Sequence, residues 1–286
     1  MGDLILQMFI TGIVMGLIYM LVALGITLIF GVMRIVNIIH AEMTMLAAFF
    51  MYYLFEIWHI PFLIALVFCA AAISLMGIFF QRYLYKPLKY EILNVLIIAA
   101  GAGFAVKSAG WIIFGPLARD ISTIFPGMIR IFGVPLSMER VAVALICVGL
   151  TIGLYIFLYK TKPGKSIRAV EQDSEAAAVL GINVDRVYVM VFIVSCSLAA
   201  VAGALTGMLF AVEPEMGNDP FLKCIMILMI GGMGSIPGAI LASLLLGLID
   251  SFTETLFGGE LAFMIGFALL MFILIVRPKG FFGYEA

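Results

Sequence analysis

An all-α, polytopic membrane protein is the fold class this sequence predicts, and three observations predict it. Of its residues, 65% are hydrophobic and 12% charged, against roughly 45 to 50% and 25% in soluble domains. The mean hydropathy is +1.23. The apolar residues also fall in runs of bilayer length, about 20 residues when helical, and a helix satisfies its backbone polar groups internally where no water can. The formal net charge of −1 leaves no basic surface for a phosphate backbone, so nucleic acid is excluded and the lipid bilayer is the expected surrounding.

Taken in order, residues 4–30 make the first span, with Gly12, Gly16, Ala23 and Gly25 suited to close helix contact. The run is too long, and lacks the basic residues before it, to be a signal peptide. MRIVNIIHAEMTML at 33–46 then brings in Arg34, Asn37, His40 and Glu42 before the apolar run resumes through Leu54. Trp58, His59 and Pro61 form an interfacial turn. Spans follow at about 62–80 and 92–113, separated by Arg82, Lys86 and Lys89. Residues 114–137, rich in Gly and Pro, read as an irregular external loop. Spans at 138–159 and 187–211 flank a charged interruption, and Glu213 to Pro220 reads as a short acidic external loop. Residues 221–234 are too short to cross, which predicts a half-helix, and spans at 239–256 and 261–276 complete the chain. The total is about eight, with broken or re-entrant elements near 33–46 and 221–238 in roughly corresponding places, as in an inverted repeat. Basic residues at 82–89, 160–186 and 277–279 place those segments and the C-terminus on the cytoplasmic side. The whole of 1–286 reads as one transmembrane domain, with 160–186 as a cytoplasmic loop within it.

That loop organises the rest. GKSIRAVEQDSEAAAVLGINVDR at 164–186 is the one sustained hydrophilic run. Asp173 or Ser174 can cap a short helix over 175–180, and Gly181 can end it in a left-handed turn. A charge run is ordinarily a solvated connector. Ile167, Val170, Ala177, Val179 and Leu180 are too apolar for one, and a short amphipathic helix needs a surface to bury them, here read as an ATPase on another chain. GKS at 164–166 is not a phosphate-binding loop, because Tyr159 stands where the motif needs glycine and an apolar span precedes it. With no ATP-binding motif elsewhere in the sequence, any nucleotide chemistry has to come from another subunit.

Ionisable groups at membrane depth cost several kcal/mol unless paired or wetted, so they mark pathways. Asn37, His40 and Glu42 are the candidates for lining the path of a polar solute; the competing reading is a polar knot that fixes helix packing. GGMGSIPG at 231–238 is either a turn or a place where Gly231, Gly232 and Gly234 let backbone approach solute. Cys69, Cys147, Cys196 and Cys224 lie inside apolar runs without ligand spacing and read as packing residues. No metal site and no catalytic constellation is expected, because two histidines and scattered acids do not make one.

LIFGVMRIVNIIHAEMTML at 28–46, RAVEQDSEAAAVLGI at 168–182 and GGMGSIPGAILASLLLG at 231–247 together resemble the permease subunits of branched-chain amino acid ABC importers of the Liv type, most closely the shorter of the two permeases. The resemblance covers nearly the whole chain, and departs from the family where glycines are replaced by Ala41 and Ala47. It implies a bacterial inner-membrane permease for leucine, isoleucine and valine. It also implies a periplasmic solute-binding protein, a second homologous permease and two cytoplasmic ATP-binding subunits that carry ATP and Mg. Residues 164–182 would be the coupling helix, with Arg168, Glu171, Asp173, Glu175, Ala177, Leu180 and Gly181 at the contact. Urea and short-amide importers share the scaffold. The rival from another class is a self-sufficient secondary transporter or channel with Glu42 and His40 as a proton relay.

Overall fold

The computed structural model describes residues 2–88, 90–131, 133–278 and 280–282. Lys89 and Lys279, counted above among the basic residues, lie outside the described residues. The fold is a helical bundle whose main members run alternately between two ends.

Helix α1 (Gly2–Met33) is one uninterrupted apolar run and the most buried of the long helices. It stops where Arg34 takes a left-handed φ of 58°. The chain doubles back without regular structure to α2 (His40–Met51), which continues through a wider π-helical turn at Tyr52–Ile57. Pro61 precedes α3 (Phe62–Phe79), which likewise runs on through a π turn at Phe80–Tyr85. Helix α4 (Ile92–Phe114) ends at Gly115, whose φ of 77° only glycine adopts readily. Inside the loop expected to be irregular, β1 (Met128–Ile131) and β2 (Val134–Ser137) pair antiparallel, Met128 opposite Ser137. Ser137 then caps α5 (Met138–Lys160) by accepting from the Arg140 amide.

Two short helices follow, α6 (Lys162–Gln172) and α7 (Ser174–Val179). Thr161 caps α6 at the Gly164 amide, so the GKS tripeptide is helical. Asp173 caps α7 by accepting from the amides of Glu175 and Ala176 at 2.9 Å each, and Gly181, at φ 84°, ends it, as its sequence predicted. The long helices resume with α8 (Val184–Leu209), then α9 (Asn218–Gly231), α10 (Ile236–Phe257) and α11 (Gly259–Val276).

Eight spans were expected; among the described residues six helices are long and apolar enough to cross a membrane. The two expected spans outside those six are the one at 33–54, which is α2 with its π turn and carries His40, Glu42 and Glu56, and the one at 261–276, which is α11, 18 residues long. The expected half-helix is α9, 14 residues long. The acidic segment before it is not wholly an external loop: a Cβ on Gly217 would stand 2.2 Å from the Ala41 carbonyl, so the chain dips into the bundle to begin α9 beside the start of α2. From that shared depth α2 runs to the β-hairpin end, where Tyr53 meets Arg119. Helix α9 runs to the opposite end, where the Ile230 carbonyl accepts from the Phe281 amide. Two broken helices of opposite direction, each following a long helix, are what an inverted repeat produces.

Glycines set the closest crossings. Where α1 meets α10, a Cβ on Gly247 would lie 2.4 Å from Gly16 Cα, and one on Gly12 would lie 2.9 Å from Leu248 Cα. Without a hydrophobic driving force between helices in lipid, such backbone approach is a main source of helix association. Helices α4 and α5 turn most of their apolar surface outward.

Candidate functional site

The residues singled out from the sequence fall in three places. The first lies around the start of α2. Asn37 and His40 are fully buried. Asn37 Oδ1 accepts from the Tyr85 hydroxyl at 2.7 Å, while the His40 ring packs against Gly25 of α1, 3.0 Å from where a Cβ would be. Glu42 faces α4 across Gly103, within the field of Lys107 and Glu215, which pair with each other at 3.2 Å. Replacing Asn37 with leucine leaves the Tyr85 hydroxyl without an acceptor. It is expected to destabilise the protein by about 1–3 kcal/mol, read as a lower thermal midpoint in detergent, and adding Tyr85→Phe should recover much of the loss.

Gly231, Gly232 and Gly234 form the second place, at the end of the bundle that carries α6. Gly232 and Gly234 have φ of 99° and 87°, a Cβ on Gly231 would meet the Gly238 carbonyl oxygen at 2.6 Å, and one on Gly234 would meet Gly31 Cα at 3.2 Å. They form a tightly packed reversal between α9 and α10.

The third place is α6–α7 itself. Arg168 lies over the Tyr159 ring and its Nε donates to the Leu158 carbonyl at 3.2 Å, fastening α6 to the end of α5. Glu171 reaches Gly31 at the end of α1. Burial raises its carboxyl above the ordinary carboxylate range, and the charges of Arg34 and Arg168 pull it back. Ala177 is buried, whereas Glu175, Val179 and Leu180 project outward, Val179 at 88% and Leu180 at 82% exposure. Arg168, Glu171 and Ala177 therefore hold the pair of helices on the bundle, while Val179 and Leu180 offer an apolar tip.

The structure adds a site that the sequence reading passed over. A cavity of about 600 Å³ opens at the β-hairpin end between α1, the 206–220 segment, α9 and α10, within the roughly 300 to 1,000 Å³ that small-molecule sites occupy. Its mouth carries exposed Glu213, Asp219 and Glu254. At its depth Lys223 of α9 pairs with Asp250 of α10 at 2.6 Å and donates to the Tyr19 hydroxyl of α1 at 2.8 Å, with its ammonium over the Tyr19 ring. Asp250 is nearly fully buried. Asn37, His40, Glu42 and the three glycines do not line this cavity. A signal was present in the sequence: Lys223 and Asp250 are lone opposite charges inside apolar runs, the pattern that marks function or pairing in a membrane.

A bundle of bilayer-length helices with two half-helices meeting inside it, a polar cavity at one end and a protruding helical pair at the other is the build of a membrane permease. The chain belongs to the family described as branched-chain amino acid transport system / permease component, whose model matches residues 8–276. It is 29% identical to the high-affinity branched-chain amino acid transport system permease protein BraD of Pseudomonas aeruginosa, over 97% of this chain and 95% of that protein. To the permease protein LivH of Escherichia coli strain K12 it is 27% identical, again over 97% and 95%. Among solved structures, PsaBC from Streptococcus pneumoniae in complex with Fab matches with a TM-score of 0.48 at 15% identity, covering 97% of this chain and 92% of that one.

Proposed function

We propose that this chain is the permease subunit through which an ATP-driven importer admits branched-chain amino acids. A periplasmic binding protein would deliver the solute, a second homologous permease would complete the pathway, and two ATP-binding subunits would supply the work. The observation that carries the reading is the opposition of the two ends: a polar cavity at one, and at the other a short helical pair presenting Val179 and Leu180 to water. The reading that the α6 end is cytoplasmic, and the C-terminus with it, is supported by Arg82, Lys86, Lys160, Lys162, Lys165, Arg168, Arg186 and Arg277, which gather at that end. The cavity then faces the periplasm.

On this reading, ATP binding on the partners displaces α6, and Glu171 transmits the movement to the end of α1 and to Arg34. Arg34 begins the break ahead of Asn37, His40 and Glu42, so that cluster would line the path when access alternates. Gly231, Gly232 and Gly234 would let α9 tilt about its cytoplasmic end. The test is purification of the tagged protein from its own membranes, followed by reconstitution of whatever copurifies with the matching binding protein. ATP-binding subunits in the preparation and ATP-dependent leucine uptake are expected. A lone protein moving solute down an ion gradient would overturn the reading in favour of a secondary transporter.

A further inference from the structure

The Lys223–Asp250 pair sits where a structural ion pair is hard to justify on stability alone. Two charges taken out of water repay their desolvation only with good geometry and further hydrogen bonds, and an apolar pair of similar volume often does as well. Here the charges stand 2.6 Å apart and Lys223 has a hydroxyl partner in Tyr19, but the buried Asp250 Oδ2 makes no directed hydrogen bond among the described residues. The pair also stands at the depth of the cavity rather than in closed core, with the Lys223 side chain 17% and that of Asp250 5% exposed. Three helices are tied together at this point: the central α1, the half-helix α9 and α10. Parting α9 from α10 means parting these charges.

We infer that the Lys223–Asp250 pair is a charge lock on the pathway, opened by a zwitterionic solute whose carboxylate takes over Lys223 and whose ammonium takes over Asp250. Solute classes differ in which of the two charges they can compensate. Separating the pair without replacement leaves two uncompensated buried charges, which is strongly unfavourable. A monoanion or a monocation relieves one and strands the other. A neutral polyol relieves neither by charge. An α-amino acid carries both charges on adjacent groups and can replace both partners in one movement. The neighbouring wall then matters for the rest of the molecule: Met15, Ile18 and Leu209 line the same cavity and suit an aliphatic side chain. Glu213, Asp219 and Glu254 at the mouth would favour entry ammonium-first. The inference rests on the importer reading above and assigns its solute-recognising residues.

The test uses the reconstituted complex and the double variant Lys223→Met with Asp250→Asn. Removing both charges leaves no orphan, so the fold and assembly are expected to survive. Leucine uptake is expected to fall by at least about a hundredfold, as for loss of a desolvated charge contact, with the amount of assembled complex unchanged. The exchanged variant, Lys223→Asp with Asp250→Lys, restores a pair but reverses its direction against Tyr19 and the wall; it should assemble and remain deficient in uptake. Wild-type uptake in either variant would reduce the pair to a packing device and overturn the inference. If the wild-type complex itself imports no amino acid, the importer reading fails first, so the two failures are told apart by the wild-type control.

Discussion

Gly203→Ala is expected to lower the thermal midpoint of the purified protein by about 6 to 12 °C and to reduce the yield of assembled complex, although the change adds one methyl group. A Cβ on Gly203 of α8 would lie 2.1 Å from the Thr44 carbonyl oxygen and 2.8 Å from the Thr44 carbonyl carbon of α2. Both are backbone atoms, so no rotamer change can make room and the two helices have to separate. Overpacking a well-filled core costs about 1–3 kcal/mol, the upper end applies where only backbone can give, and about 3 kcal/mol in a chain of this size corresponds to the stated shift. Gly149→Ala is the control. Among the described residues nothing lies within 4 Å of its added methyl, and alanine favours helix over glycine by up to about 1 kcal/mol, so that variant should be neutral or slightly more stable. Differential scanning fluorimetry on both proteins separates the outcomes; equal midpoints would mean that α2 and α8 have slack that the close approach does not reveal.

The pair also shows where the sequence stops being readable. Both glycines stand in apolar runs, and their neighbours do not distinguish them. Gly12, Gly16 and Gly25 could be assigned to helix contact because they cluster in one run, and they do abut α10 and the His40 ring. The ends of most long helices were also legible, as were the caps around Asp173 and Gly181, because those features depend on residues a few positions apart. The cavity was not. It is assembled from Tyr19, Lys223 and Asp250, far apart along the chain, and the dip of Gly217 onto Ala41 that starts α9 inside the bundle is a tertiary contact without a local signature. Weighing clustered polar residues over isolated ones drew attention to Asn37 and His40, whose burial in this conformation is complete. Two single charges in separate spans carried as much information.

At the opposite end, Val179→Asp combined with Leu180→Asp is expected to leave this chain folded, strip the ATP-binding subunits from it and bring uptake to background. Both side chains are almost fully exposed, so the bundle itself loses little when they become polar. Their cost in water is recovered only by burial, and burying a side chain of this size stabilises by about 1.5–3 kcal/mol. Placing two carboxylates where that burial occurs removes the gain and adds desolvation, a weakening on the order of a thousandfold or more. Ala177 and Glu171, which face the bundle, give the contrasting result: larger or reversed side chains there should disturb how α6 and α7 seat before they affect affinity for the partner. The measurement is copurification of ATP-binding subunits with tagged permease, alongside its thermal midpoint alone. Loss of partners at an unchanged midpoint identifies the tip of α7 as the docking surface. Full retention of partners would move docking to another part of the α6 end and leave Val179 and Leu180 without a role in coupling.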